Sequence, residues 1–251
     1  MRIISGEGKG RVLKTREGKG TRPTDSRVRE MLFNILGESV QESRFLDLYA
    51  GNGSVGLEAL SRGAAFCVFV EQNAAAAQAI RDNLKTLGWR DRAQVWHTPL
   101  KSALRRFSEL LEKDPNHPEA RFDIVFADPP FTNRHELQDL AARLDNLPQL
   151  LHNGTGQKPP EAAESVLQEP LLVVQHYRKE VFRPARFTVW QQRRAGNSAL
   201  TFCHPLTEKP LTESPTEKPL VPNSDLSDGA GDATPSGAVT MKIKDDPRLA
   251  E

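Results

Sequence analysis

Between residues 45 and 203 the apolar positions follow two rhythms in alternation. Short continuous runs, rich in Val, Ile and Phe, are separated by stretches in which apolar residues recur every three or four positions. The runs beginning at Phe45, Phe66, Arg92, Phe122 and Pro170 read as strands. The stretches 54–61, 74–87, 101–111 and 135–144 read as helices; the four alanines at 74–77 signal helix propensity and no chemistry. Strand and helix in turn predict a parallel sheet with helices on both faces. The pattern closes with 186–194 and 198–203 on either side of Gly196-Asn197, the signature of an antiparallel hairpin.

The two ends of the chain behave differently. Residues 2–15 carry three glycines among alternating residues and predict a β-hairpin bearing Arg2, Lys9, Arg11 and Lys14. Thr24 or Asp25 is a suitable N-cap for a helix whose buried stripe is Met31, Leu32, Ile35 and Leu36. Residues 146–168, with Gly154, Gly156, Pro159 and Pro160, read as a flexible insertion. Beyond Pro205 a five-residue phrase, Thr-Glu-Lys-Pro-Leu, occurs at 207 and again at 216, and the rest is Ser, Asp, Gly, Pro and Ala. Such a segment buries too little apolar surface to offset its ordering entropy and is expected to be disordered. The organisation expected is therefore a basic segment 1–40, a sheet domain 41–206 and an acidic tail 207–251.

Composition narrows the class. With 251 residues and 37% apolar content, the chain is long enough for one good core. The formal charge of +1 hides an uneven spread: Met1 to Arg29 carries nine Lys/Arg against three Asp/Glu, and residues 207–251 carry five against nine. The amino-terminal end is where a polyanion would be held, with Arg22, Arg27 and Arg29 added to the hairpin cations. Cys67 and Cys203 lie far apart in apolar runs and read as reduced core residues. The histidines show no ligand spacing with them, so no metal is expected. No run approaches membrane-spanning length and no leader is evident, which leads us to expect a cytoplasmic protein that meets no membrane.

Two motifs carry chemistry. In Asp47-Leu48-Tyr49-Ala50-Gly51-Asn52-Gly53-Ser54-Val55-Gly56 a strand ends, a glycine loop turns and a helix begins, and Glu71 ends the next strand 20 residues after Gly51. The glycine spacing fits a dinucleotide loop, with the acid on a ribose hydroxyl. Asp47, however, stands where a pyrophosphate would be repelled and suits a cationic cofactor. S-adenosylmethionine, with its amino group and sulfonium, fits better than NAD. Downstream, Asp128-Pro129-Pro130-Phe131 follows a strand and offers a carboxylate, carbonyls that no neighbouring N–H can occupy, and an aromatic plate. That set suits a planar group bearing NH₂, such as a nucleobase.

Further residues carry a resemblance. Arg2-Ile3-Ile4-Ser5-Gly6, Gly10-Arg11, Arg22-Pro23-Thr24, Arg27-Val28-Arg29-Glu30, Leu32-Phe33-Asn34, Leu46-Asp47-Leu48-Tyr49-Ala50-Gly51-Asn52-Gly53, Gly56 to Ala64, Phe69-Val70-Glu71 and Asp128 to Phe131 appear in this order. Over residues 1–206 the chain resembles the bacterial RsmD-type methyltransferases, which methylate the exocyclic N2 of a guanine in small-subunit ribosomal RNA with S-adenosylmethionine. The resemblance implies a Rossmann-like class I methyltransferase fold with a mostly parallel seven-stranded sheet and an amino-terminal hairpin extension. It implies a cofactor site at Asp47, Tyr49, Ala50, Gly51, Gly53, Glu71 and Gln72, and catalytic roles for Asp128, Pro129, Pro130 and Phe131. It places RNA on Arg2, Lys9, Arg11, Arg22, Thr24, Arg27 and Arg29. S-adenosylhomocysteine would be the product and an assembling small-subunit particle the partner of a monomeric enzyme. The chain departs from the family at His97-Thr98-Pro99-Leu100, where an acid or amide commonly meets adenine, and at Gln175, where Glu is common. Two other readings share these motifs: an adenine-N6 methylase of DNA, and a non-catalytic RNA-binding protein with a methylase fold.

Overall fold

The computed structural model describes residues 1–15, 26–130, 135–151 and 169–206. The expected N-caps Thr24 and Asp25, the site residues Arg22 and Phe131, most of the 146–168 insertion and the 207–251 tail fall outside those residues.

Five helices and seven strands appear in the order anticipated: α1 Ser26–Leu36, β1 Arg44–Asp47, α2 Ser54–Ser61, β2 Phe66–Glu71, α3 Ala74–Leu87, β3 Ala93–His97, α4 Leu100–Lys113, β4 Ile124–Ala127, α5 Glu136–Asp145, β5 Leu171–Tyr177, β6 Phe187–Ala195 and β7 Ser198–Pro205. They build one sheet in the order β3-β2-β1-β4-β5-β7-β6. Strands β1 to β5 run parallel, and β7 turns back against β5. The order reverses at β1, whose neighbours are β2 and β4. In open α/β sheets that switch point opens a crevice at the carboxyl ends of the strands.

Burial follows the alternation of each strand. Phe45 and Phe69, Ile124 and Phe126, Leu171 and Val173 face one way and pack under α1, α2 and α3 with Val28, Leu32, Phe33, Leu57, Leu60 and Ile80. Leu46 and Leu48, Val68 and Val70, Val125 and Ala127, Leu172 and Val174 face the other way, under α4 and α5 with Leu104, Phe107, Leu137 and Leu140. Cys67 and Cys203 are free thiols buried in these two layers.

The amino-terminal hairpin is slighter than its sequence suggests. One antiparallel bridge, Arg2 with Val12, is flanked by Ile3 N–H on Arg11 O and Leu13 N–H on Met1 O. Ile3 and Leu13 enter the same core layer as α1 and α2, and Met1–Glu208 forms one unit. One carboxylate bonds the hairpin twice: Glu58 of α2, fully buried, accepts from the N–H groups of Ile4 (2.8 Å) and Ser5 (2.9 Å) and also from Arg62 Nε (2.9 Å). Arg29 of α1 closes this cluster 3.7 Å from Glu58.

Candidate active site

The glycine loop between β1 and α2 takes a left-handed turn that its sequence permits. Gly51 has φ +55° and Gly53 φ +76°, the latter serving as the cap residue of α2. Gly56 answers a different need. A Cβ there would stand 2.3 Å from Phe69 Cε1 and 2.7 Å from Cys67 Sγ, so only glycine lets α2 lie directly on β2. Asn52 Oδ1 accepts from Ser54 N–H (3.2 Å) and closes the loop.

Both acids of the first motif hold this loop. Glu71 Oε2 accepts from Gly51 N–H (2.7 Å) and Oε1 from Asn73 N–H (2.6 Å), which joins the loop to the start of α3. Each oxygen retains a lone pair for a further donor. Asp47, 1% exposed, accepts from Gly56 N–H (3.2 Å). Burial pushes its carboxyl up to about 7, against the pull of the Gly56 amide; the charges of Asp128 and Glu71 push the same way. Asp47, expected to meet a cationic cofactor directly, instead has its carboxylate sealed beneath the loop in this structure.

The cleft opens beside the loop. A cavity of about 290 Å³ is lined by Tyr49 of the β1 end, Glu71 and Gln72 of the β2 end, Thr98 and Pro99 of the β3 end, and Pro130 beyond β4. Tyr49 donates its hydroxyl to Glu136 Oε1 (2.9 Å), tying the loop after β1 to α5. Burial and this bond to a carboxylate raise the phenol well above its ordinary value, so the hydroxyl stays a donor. Thr98 N–H donates to Glu71 O (3.0 Å), and the His97 ring meets Gln72 O (3.1 Å). Pro99 is the cap residue of α4, which has no side-chain cap bond, and Thr98, Pro99 and Leu100 line the cleft.

Asp128, Pro129 and Pro130 follow β4 at the same edge. Phe126 pairs with Asp47, and Ala127 pairs with Val174, so Asp128 comes level with Gln175 on β5. Asp128 is half-buried, Pro129 buried and Pro130 exposed. Gln175 is 4% exposed, and its Oε1 has no hydrogen-bond partner. A buried acceptor without a donor is costly, and it lies beside the motif that suits an amine. Among the described residues no group of three or more His, Cys, Asp or Glu is placed so that it could hold a metal ion. None of the described helices is long and apolar enough to cross a membrane.

The tip of the amino-terminal hairpin stands away from this edge, whereas its base reaches the glycine loop, with Met1 Sδ 4.0 Å from Asn52 Nδ2. At the hairpin tip Lys9 N–H donates to Gly6 O and Glu7 N–H to Ser61 O, at the far end of α2. Glu7 pairs with Arg92 (2.6 Å), just ahead of β3. The tip thus lies at the amino edge of the strands, opposite Asp128. Arg2 and Arg11 are exposed, with Arg2 donating to Gly10 O (2.9 Å), and Arg27 is exposed on α1. Arg29 is a correction. It is 2% exposed, its Nη2 donates to Arg2 O (2.8 Å) and its Nη1 to Met1 S (3.2 Å), so it braces the hairpin and has no face for a phosphate. Its position on the buried stripe with Leu32, Phe33 and Leu36 carried that signal in the sequence.

The family model described as conserved hypothetical protein 95 matches residues 1–204. The chain belongs to that family, the RsmD family. A Bacillus subtilis member, "Putative rRNA methyltransferase YlbH", is 39% identical over 154 residues, 61% of this chain and 79% of its own. The Haemophilus influenzae ribosomal RNA small subunit methyltransferase D is 41% identical over 132 residues, which span 52% of this chain and 64% of that protein. Among solved structures, "Putative methyltransferase yhhF from Escherichia coli" superposes with a TM-score of 0.59 at 31% identity, covering 82% of this chain and 97% of that one. The Rossmann-like methyltransferase fold and the RsmD resemblance both stand.

Proposed function

We propose that this RsmD-family chain uses S-adenosylmethionine to methylate the exocyclic N2 amine of a guanine in small-subunit ribosomal RNA. The observation that carries the reading is that the cleft lined by Tyr49, Glu71, Gln72 and Pro99 also takes in Pro130, so that it opens at the same sheet edge as Asp128-Pro129-Pro130, around the β1 switch point. The names of the relatives supply the ribosomal substrate. The order-of-300 Å³ cleft is within the range that encloses small ligands. Glu71 would take the ribose hydroxyls, Gln72 and the backbone at Thr98-Pro99 the adenine, and Tyr49 and the glycine loop the amino-acid arm.

The cofactor supplies an electrophilic methyl group on a sulfonium. The protein's part is to make a poor nucleophile available. A guanine N2 lone pair is delocalised into the ring, and accepting both N–H hydrogens at the Asp128 carboxylate and the Pro129 carbonyl turns it out of the ring plane. Neither proline offers an N–H to compete for those acceptors. Phe131 would stack on the extruded base, a contact worth about 1–3 kcal/mol. The amine loses its proton after transfer, so Asp128 positions and need not act as a strong base.

The test is transfer of labelled methyl from S-adenosylmethionine to small-subunit particles lacking the modification, with nucleoside analysis of the product. N2-methylguanosine is expected, and Asp128→Ala should abolish it while cofactor binding by calorimetry stays close to wild type. Label in duplex DNA as N6-methyladenine would instead support the DNA reading. No cofactor binding would support the non-catalytic one.

A further inference from the structure

From Tyr177 to Asn197 the chain carries six Lys and Arg against one Glu, and all six cations are exposed. Strand pairing places two of them. His176 pairs with Ala199 and Tyr177 with Ser198 across β5 and β7, while Arg193 pairs with Leu200 and Arg194 with Ala199 across β7 and β6. Arg193 and Arg194 are therefore level with Gln175 and His176, and so with Asp128. Three sheet spacings, about 14 Å, separate their backbone from that of Asp128. An arginine side chain reaches across much of that gap.

The surface is built before anything binds. Arg178 N–H donates to Asn197 O (2.9 Å), which clamps the β5–β6 connection against the β6–β7 turn and brings Arg178 and Lys179 beside Arg193 and Arg194. Further along, Asp145 of α5 accepts from the N–H groups of Ala185 (2.8 Å) and Arg186 (2.7 Å). Glu180, the one acid, accepts from Tyr177 N–H (3.3 Å). Among the described residues no carboxylate comes within ion-pairing distance of Arg178, Lys179, Arg193 or Arg194. The charge of Arg194 reaches His176, where it adds to burial in holding the imidazole below its ordinary value. Charges on an exposed edge strand also prevent sheet-to-sheet pairing, and that accounts for Arg193 and Arg194. It does not account for Arg178 and Lys179, which lie on the connection and not on the edge.

We propose that Arg178, Lys179, Arg193 and Arg194 form a phosphate-binding surface for the RNA backbone flanking the target base. The inference rests on the function proposed above and adds a second set of cations to those of the amino-terminal hairpin, whose tip lies at the opposite edge. Clustered cations without a carboxylate partner among the described residues, level with Asp128, fit a polyanion reached within a few nucleotides of the reacting base.

The test is direct binding of the full chain to a labelled single-stranded small-subunit RNA fragment across a salt series, for wild type, Arg178→Ala/Lys179→Ala and Arg193→Ala/Arg194→Ala. Each pair should weaken binding roughly tenfold and flatten the log–log salt slope by about 1.4, with cofactor affinity and thermal midpoint unchanged. Arg105→Ala/Lys113→Ala on α4 is the charge-matched control and should bind as wild type does. Wild-type affinity and slope in both edge pairs, or an equal loss in the α4 control, would overturn the proposal. If RNA binding falls in the edge pairs but no methyl is transferred by wild type, this surface stands and the catalytic reading fails. If wild type binds no RNA, both fail. An edge pair that does not fold is replaced by Arg→Gln and Lys→Gln versions, read the same way.

Discussion

Asp47 makes the stability of the fold fall as pH rises through the neutral range. Its carboxyl, ordinarily near 3.8, is pushed up to about 7 in the folded chain. In the unfolded chain it loses its proton near the ordinary value, so between these two limits the folded state binds one proton more. The slope of unfolding free energy against pH is negative across that window and flat above it. At about 1.4 kcal/mol for each pH unit, the full cost of keeping an ionised Asp47 beneath the glycine loop is roughly 4 kcal/mol, of which about 3 kcal/mol develops between pH 5 and pH 8.5. Asp47→Asn keeps an oxygen for Gly56 N–H and cannot ionise. Urea unfolding of both proteins at several pH values is the measurement. The stability difference should move in favour of the variant by about 3 kcal/mol across that range. Parallel stability–pH curves would show that Asp47 is already ionised at neutral pH, and the burial argument would be wrong.

Gly56→Ala forces α2 away from Phe69 and Cys67 and should cost about 1–3 kcal/mol in denaturant unfolding, with cofactor affinity lowered as well. Glu58→Gln leaves the buried Arg29 without its counter-charge and should cost about 3–5 kcal/mol, with amide exchange accelerated first at Ile4 and Ser5. Glu71→Gln weakens the bonds to Gly51 and Asn73 and should raise the cofactor dissociation constant roughly tenfold or more by calorimetry, with little change in RNA binding. Tyr49→Phe removes the hydroxyl bond to Glu136 and should cost about 1 kcal/mol of stability.

The sheet domain was legible because its central strands β1, β2, β4 and β5 are buried on both faces and written as continuous apolar runs, while its helices keep a 3.6-residue stripe. Helix α3 spans the residues its pattern marks, Ala74–Leu87, between Asn73, which caps it, and the left-handed Gly88. The glycine loop and Glu71 were legible because backbone geometry admits few residue types there. Asp47 and Arg29 were not. A sequence shows a charge but not whether it faces a cleft or a neighbouring helix, and both side chains turned inward. The cations after β5 were missed for another reason. Their importance comes from which edge of the sheet they reach, and that depends on strand order and direction, which no local window contains.

The reversal of β7 has a consequence for how such a protein can diversify. In a wholly parallel sheet, each carboxyl-edge loop leads into a crossover helix that must still cover the core. Here the Gly196-Asn197 turn arrives at that edge on a two-stranded hairpin closed on itself, and among the described residues β6 has no further strand beside it. Its length and charge are open to change at little expense to the layers beneath. Related chains can thus exchange one surface for another at this corner while the glycine loop, fixed by Gly56 against β2, stays as it is.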